Sequence, residues 1–411
     1  MDNLQTAAKP EPSKLFRRGL GLKNEVAQEL DSDYASSLID QLRANEYQMD
    51  IGNITVFLAK EFGFCYGVDR AIDYAYQTRR KFPDKRVFLT GEIIHNPHVN
   101  NRMLEMGIEF LSGQYAKGNN IDVVQADDVV ILPAFGVTTH EMEMLIARGC
   151  ILVDTTCGSV LNVWKRVEKY ASTGFTSVIH GKYYHEETLA TSSQTAKFPG
   201  AHYLVVLDMK ETEMVCDYIG GKMDKSAFMK YFKSAMSNGF DPDLHLQKIG
   251  VANQTTMLSN ESLAIGRRIE MEMAIKYGEE NLAEHFRTFD TICSATQERQ
   301  DAILELVEKE KLDIMLIVGG YNSSNTSHLA EISGDYTSAY HIDDARCLVS
   351  AELLKHQLVG QKTESSRRDW LPAGPLKLGI TAGASTPNSK IAEVLARLAE
   401  IRGVELEALL K

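Results

Sequence analysis

Residues 54–77 read ITVFLAKEFGFCYGVDRAIDYAYQ. The stretch opens with a short β-rich run, passes through a turn ending in Cys65, and continues with apolar residues three or four apart. The first pattern predicts a strand and the second an amphipathic helix. The same unit recurs along the chain. RVFLTGEII leads into His95 and Asn96, DVVILPAF into GVTTHEM, and CILVDTT into Cys157. FTSVIHG leads into His185, Glu186 and Glu187, KIGVANQ into Thr255 and Thr256, and FDTI into Cys293. LDIMLIVGG leads into NSSN, and LKLGITAG into AST and Pro387. Such alternation predicts an α/β fold with mostly parallel sheets. Ligands of open parallel sheets bind beyond the carboxyl ends of the strands, where nearly all the unusual polar residues of this chain fall.

Three of the six cysteines, Cys65, Cys157 and Cys293, each end a predicted strand and open a predicted helix. The positive end of a helix macrodipole favours a thiolate, so each is a candidate metal ligand. Together they suggest one shared centre with a ligand position left open. Cys150, Cys216 and Cys347 lie in strand-like or helical patterns and read as small buried hydrophobes. Structural zinc commonly uses CxxC pairs, which this chain lacks. An iron–sulfur cluster with three protein thiolates suits isolated cysteines better.

Composition limits the possibilities. The 411 residues, 44% hydrophobic, suffice for two or three domains with proper cores. A net charge of −12 argues against a general nucleic-acid binder, so an anionic substrate needs a local site. No stretch approaches the length of a membrane span, and MDNLQTAAKPEPSKLF has no apolar signal core. Acidic residues scattered through the first 33 positions argue against a plastid transit peptide, so a cytoplasmic location with reduced thiols is expected.

Several joins carry candidate binding groups. His185 with Glu186 and Glu187 places an imidazole and carboxylates at one strand end, suited to holding an anion and delivering a proton. The bland alternative is an acidic helix start. GGYNSSNTSHL sets Ser323, Ser324 and Asn325 at a helix N-terminus, and GITAGASTP sets Ser385 and Thr386 before Pro387, expected at the first helical position. Ordinary N-capping competes with an anion seat in both. Neither run matches a nucleotide P-loop, which favours a small phosphate-bearing ligand held by neutral donors. His95, and Thr255 as a hydroxyl able to relay a proton, complete the set.

Each of the three cysteines starts a stretch of several strand–helix units, predicting three similar α/β domains. These span residues 54–157, 158–289 and 290–411, with the strand of 54–65 joining the third. Residues 1–53 are weakly patterned, with one helix expected around DYASSLIDQLRANEY, and read as an appended arm. Residues near 209–245 and 355–375 break the rhythm and read as surface insertions.

From about Ile54 to Arg402 the chain resembles the 4-hydroxy-3-methylbut-2-enyl diphosphate reductases, which close the non-mevalonate isoprenoid pathway. GFCYGVDRAI, EIIHN, DTTC, HGKYYHEET, ANQTTM, TICSATQERQ, GGYNSSNTSHL and TAGAST occur in family order. The N-terminal segment, LPAFG and the insertions are similar to the plant and cyanobacterial branch. The resemblance implies three α/β domains in a pseudo-threefold arrangement around a central [4Fe-4S] cluster held by Cys65, Cys157 and Cys293, with one iron open. It implies diphosphate binding by His95, His185, Ser323, Ser324, Asn325 and Ser385. Glu187 would be the proton donor, and Thr255 would lie near the substrate hydroxyl. The implied reaction is reductive dehydroxylation to isopentenyl and dimethylallyl diphosphates.

Ferredoxin or flavodoxin would donate electrons, docking on Arg79, Arg80 and Lys81 or on Arg367 and Arg368. Two departures stand out: Phe135 replaces a histidine common in bacterial members, and Gly158 replaces the proline common after the second cysteine. A rival reading is another three-cysteine cluster enzyme, such as a quinolinate-synthase-like dehydratase, which would need arginine clamps for carboxylates. A non-enzymatic iron–sulfur sensor would need neither Glu187 nor two anion seats.

Overall fold

The computed structural model describes residues 14–361 and 363–405. It is a mixed α/β structure with three mostly parallel sheets. The described chain divides into two compact units. One comprises the described part of Met1–Arg18 with Asp84–Gly91 and Glu109–Cys293. The other comprises Gly19–Pro83, Glu92–Ile108 and the described part of Ser294–Lys411.

The first unit carries two sheets. The five-stranded sheet runs in the order Leu15–Phe16, Ile151–Asp154, Val129–Leu132, Val87–Leu89, Ile108–Phe110. The four-stranded sheet runs Phe286–Thr288, Ile249–Asn253, Thr176–His180, Tyr203–Val206, all parallel. The second unit carries one eight-stranded sheet. Its parallel centre is Ser338–Ile342, Ile314–Val318, Leu376–Ala382 and Ile54–Leu58, with antiparallel strands at both edges. Ile314–Val318 and Ile249–Asn253 are buried at every position, as expected of strands covered on both faces.

Each sheet has a point where the chain reverses its direction of progress. In the four-stranded sheet the chain passes from Thr176–His180 to Tyr203–Val206 on one side, then returns to Ile249–Asn253 on the other. In the eight-stranded sheet it passes from Ile314–Val318 to Ser338–Ile342, then to Leu376–Ala382. Loops leaving the two strands at such a point diverge and open a crevice at their carboxyl ends.

Several sequence expectations change. The N-terminal segment is built into the fold: Gln48–Ile51 is a strand antiparallel to Ile54–Leu58, and Leu38, Ile39, Leu42, Met49 and Ile51 lie in the core of the second unit. The expected helix is Ser37–Ala44, and a second one not expected, Lys23–Tyr34, precedes it. The buried Gln77 side chain accepts from the amides of Leu20 and Leu22, satisfying backbone that would otherwise be stranded. Residues 209–245 are only partly surface. Their helices Met209–Ile219 and Lys225–Tyr231 bring Cys216 and Phe228 into the core of the first unit, joined there by Phe232 and Phe240. Residues near 355–375 form a hairpin of Leu353–Gln357 with Glu364–Arg368, but Trp370 and Leu371 beyond it are buried. Pro387 is the N-cap rather than the first helical residue, one position earlier than expected, with φ −73° and ψ 155°.

Candidate active site

Each predicted ligand cysteine stands immediately before a helix: Tyr66–Lys81 after Cys65, Gly158–Ser172 after Cys157, and Ser294–Lys309 after Cys293. All three are partly exposed and outside any disulfide. Their backbones are anchored in one repeated way. The Cys65 amide donates to the Ala384 carbonyl (3.2 Å), that of Cys157 to Ala134 (2.9 Å) and that of Cys293 to Thr255 (3.4 Å). In each case the acceptor lies two residues beyond the end of the neighbouring parallel strand. One cysteine posture thus occurs once per sheet.

The other cysteines differ in kind. Cys150, Cys216 and Cys347 are buried, and burial pushes their thiols up, to about 11 for Cys150 and about 12 for Cys216. Neutral thiols in apolar surroundings are poor ligands. The chemistry of the partly exposed set, three soft sulfurs at helix N-termini, fits an iron–sulfur cluster.

In the first unit, His185 caps the Glu186–Ser193 helix, its Nδ1 accepting from the Glu187 amide at 3.1 Å. An accepting Nδ1 places the neutral ring's proton on Nε2, which becomes the donor. Glu187 is 1% exposed, and its carboxylate accepts from the Thr255 amide (2.6 Å) and the Thr255 hydroxyl (3.0 Å). This pair spans the reversal point of the four-stranded sheet, since Thr176–His180 and Ile249–Asn253 pair in register. Thr255 also receives the Cys293 amide, so one residue joins a buried carboxylate to a candidate ligand. Phe135 sits edge-on to the His185 ring, with centroids 5.7 Å apart. The next residue must be glycine: Gly136 has φ +79°, and a Cβ there would lie 2.4 Å from the Trp164 ring.

In the second unit, Asn325 is 3% exposed. Its Oδ1 accepts from the Ala384 amide at 2.9 Å, while its Nδ2 has no partner. A buried orphan donor in the first turn of a helix fits an anion. Ala384 therefore mirrors Thr255, donating to Asn325 and accepting from Cys65. Ser324 and Ser385 are buried, and the Ser385 hydroxyl donates to the His95 carbonyl at 3.2 Å. Ser323 serves the ordinary capping role, its Oγ accepting from the Thr326 amide and hydroxyl. His95 is buried, with Nδ1 3.1 Å from Glu92 Oε2 and 3.3 Å from Asn322 Nδ2. Gly383 lets this loop pass Thr326, because a Cβ there would lie 2.0 Å from Thr326 Oγ1.

Two residues given no role by the sequence also build the site. Asn96 caps Pro97–Glu105 and donates to the Ser385 carbonyl at 2.8 Å. Gln254 Oε1 accepts from the Lys182 amide and the Thr188 hydroxyl, fixing the loop before His185. Of the basic clusters considered for docking, Arg79 donates to the Phe82 and Pro83 carbonyls and Lys81 to the Leu20 carbonyl, so both hold local backbone. Arg367 and Arg368 are exposed on their strand. No helix among the described residues is long and apolar enough to cross a membrane.

The LytB protein family profile matches residues 56–399. The chain is 50% identical over 394 residues to the 4-hydroxy-3-methylbut-2-enyl diphosphate reductase of Gloeobacter violaceus, covering 95% of this chain and 93% of that one. It is also 50% identical over 390 residues to the enzyme of that name from Thermosynechococcus vestitus, covering 94% and 95%. A solved structure of (E)-4-hydroxy-3-methyl-but-2-enyl diphosphate reductase superposes with TM-score 0.51 at 26% identity, covering 84% of this chain and 99% of that one. The Plasmodium falciparum reductase structure, with TM-score 0.59 at 21% identity, covers 83% and 86% and shares the fold. With the family profile matched over most of its length and relatives 50% identical over nearly all of it, the chain belongs to the LytB family.

Proposed function

We propose that this chain is a 4-hydroxy-3-methylbut-2-enyl diphosphate reductase, the last enzyme of the non-mevalonate isoprenoid pathway. It would remove the C4 hydroxyl of the allylic diphosphate as water, using two electrons and two protons, and release isopentenyl and dimethylallyl diphosphates. The observation that carries this reading is Thr255, bonded at once to the Glu187 carboxylate and to the Cys293 amide. Near-full-length similarity to enzymes of that name supports the choice of substrate.

Cys65, Cys157 and Cys293 hold one [4Fe-4S] cluster in this reading, and one iron keeps an open position. When bound, such a cluster supplies single electrons and a Lewis-acidic iron for the hydroxyl. The chain's own residues do the rest. His95, His185, Ser323, Ser324, Asn325 and Ser385 bind the diphosphate, the Asn325 Nδ2 and His185 Nε2 acting as donors. For Ser323 the contribution is the helix start it caps. Glu187 delivers protons from its carboxyl, and the Thr255 hydroxyl, 3.0 Å away, orients the substrate hydroxyl and relays the proton. The three repeated cysteine anchors support three comparable domains, one per sheet. Phe135 substitutes for the bacterial histidine by holding the His185 ring in place rather than by touching phosphate. Gly158, lacking proline's fixed φ, leaves the Cys157 helix start less preorganised without loss of the ligand. Ferredoxin or flavodoxin supplies the electrons, and Arg367 with Arg368 is the better docking candidate, because Arg79 and Lys81 are spent on backbone carbonyls.

The test is turnover. Anaerobically purified, cluster-replete protein with a reduced one-electron donor should convert the hydroxylated allylic diphosphate into both five-carbon products, read by mass spectrometry. Cluster-replete protein that forms neither product refutes the assignment.

A further inference from the structure

Arg299 lies in the Ser294–Lys309 helix, in the ERQ end of the TICSATQERQ stretch that contains Cys293. It is 3% exposed. Its guanidinium donates to the carbonyls of Gly63 (2.7 Å) and Ala295 (2.8 Å), and its Nε has no partner. Among the described residues no carboxylate forms an ion pair with it. Asp69, one turn into the helix that Cys65 opens, has its carboxyl raised by burial and feels Arg299 only as an opposing charge at a distance.

Burying a cation without an adjacent anion is costly, and carbonyl dipoles offset that only in part. The cost is understandable if an anion belongs nearby. Gly63 is two residues from Cys65, and a cluster held by three thiolates carries negative charge that grows by one on each electron accepted. We propose that Arg299 is a positioning residue that holds the Cys65 loop through the Gly63 carbonyl and, by its fixed charge, sets the reduction potential of the bound cluster. The inference rests on the cluster reading given above. A buried cation stabilises the more negative, reduced form, so removing the charge makes reduction harder.

The experiment is an anaerobic redox titration, followed by electron paramagnetic resonance, on cluster-replete wild type, Arg299→Met and Arg299→Lys. Arg299→Met should lower the one-electron reduction equilibrium constant at least tenfold, a shift of about 59 mV to more negative potential. Arg299→Lys, which keeps the charge, should stay within about threefold of wild type at neutral pH. A cluster-bearing Met variant with wild-type potential overturns the proposal, as does a Lys variant displaced as far as Met. Should the Met variant fail to fold, the Lys variant is titrated from pH 7 to 10. Its potential should fall with loss of the ammonium charge while wild type changes less, and parallel profiles overturn the proposal. Wild-type protein that binds no cluster and does not turn over would sink the function reading along with this one. A cluster-bearing, active wild type beside an unshifted Met variant sinks this inference alone.

Discussion

Replacing Glu187 by glutamine separates its proton chemistry from its structural role. The carboxylate takes two hydrogen bonds from Thr255, one from the amide and one from the hydroxyl. A glutamine amide can keep both: its oxygen accepts from the Thr255 N–H, and its nitrogen donates to the hydroxyl, which rotates to accept. The exchange turns charge-assisted bonds into neutral ones, so Glu187→Gln should cost about 1 kcal/mol in unfolding free energy. Glu187→Ala strands the buried Thr255 amide, worth about 1–3 kcal/mol alone, and adds a cavity. Cluster absorbance near 400 nm should survive in the glutamine variant, whereas turnover should fall by about 10²–10⁴, the usual worth of a positioned acid. The assay is anaerobic turnover with a reduced one-electron dye, normalised to bound iron, beside urea unfolding of the same preparation. A glutamine variant that folds, keeps its cluster and turns over within tenfold of wild type refutes the assignment of Glu187 as proton donor.

Other outcomes test other links. Cys65→Ala, Cys157→Ala and Cys293→Ala should each lose or cripple the cluster, measured as iron per chain, while Cys150→Ala keeps it and costs about 1 kcal/mol of packing. Gly383→Ala should lose about 1–3 kcal/mol in denaturant unfolding, because its Cβ would press on the Thr326 hydroxyl, and a cost near zero would contradict that contact. The pH dependence of stability should show two opposed groups. Burial holds His341 down to about 4, so the folded state refuses a proton that the unfolded chain takes up near 6.5. About 3 kcal/mol is therefore lost as pH falls from 6.5 towards 4. Burial pushes Asp343 up to about 6, a penalty present at neutral pH that fades as pH falls from 6 towards 3.8. Asp343→Asn should accordingly stabilise by up to about 3 kcal/mol at pH 7 and by almost nothing at pH 3.5, read as the difference between the two unfolding curves.

The parallel architecture was legible because buried strands are apolar runs, and each such run here ends in a conspicuous polar join. Cys65, Cys157 and Cys293 stood out by position alone, and their contrast with Cys150, Cys216 and Cys347 has a physical counterpart in burial. The Lys23–Tyr34 helix was hidden because only Val26 and Tyr34 are buried along it, too few to write a period. In residues 209–245 the spacing of Phe228 and Phe232, one helical turn apart, was a readable sign of a core-facing helix among polar neighbours. The carbonyls of Ala134, Thr255 and Ala384 could not be read at all, since any residue supplies a carbonyl. Arg299 looked like any charge on a solvated helix face, and only its depth sets it apart.

Ala384 has its N–H on Asn325 and its C=O on the Cys65 amide. A residue held through both of its peptide groups is a shared wall: if occupancy on one side stiffens it, occupancy on the other is favoured by the same factor. An anion drawn to Asn325 and a metal centre drawn to Cys65 would then report on each other through the two peptide groups that meet at the Ala384 Cα. Damage to the centre by air would be felt as looser anion binding, so a failing enzyme would let its substrate go instead of holding it idle.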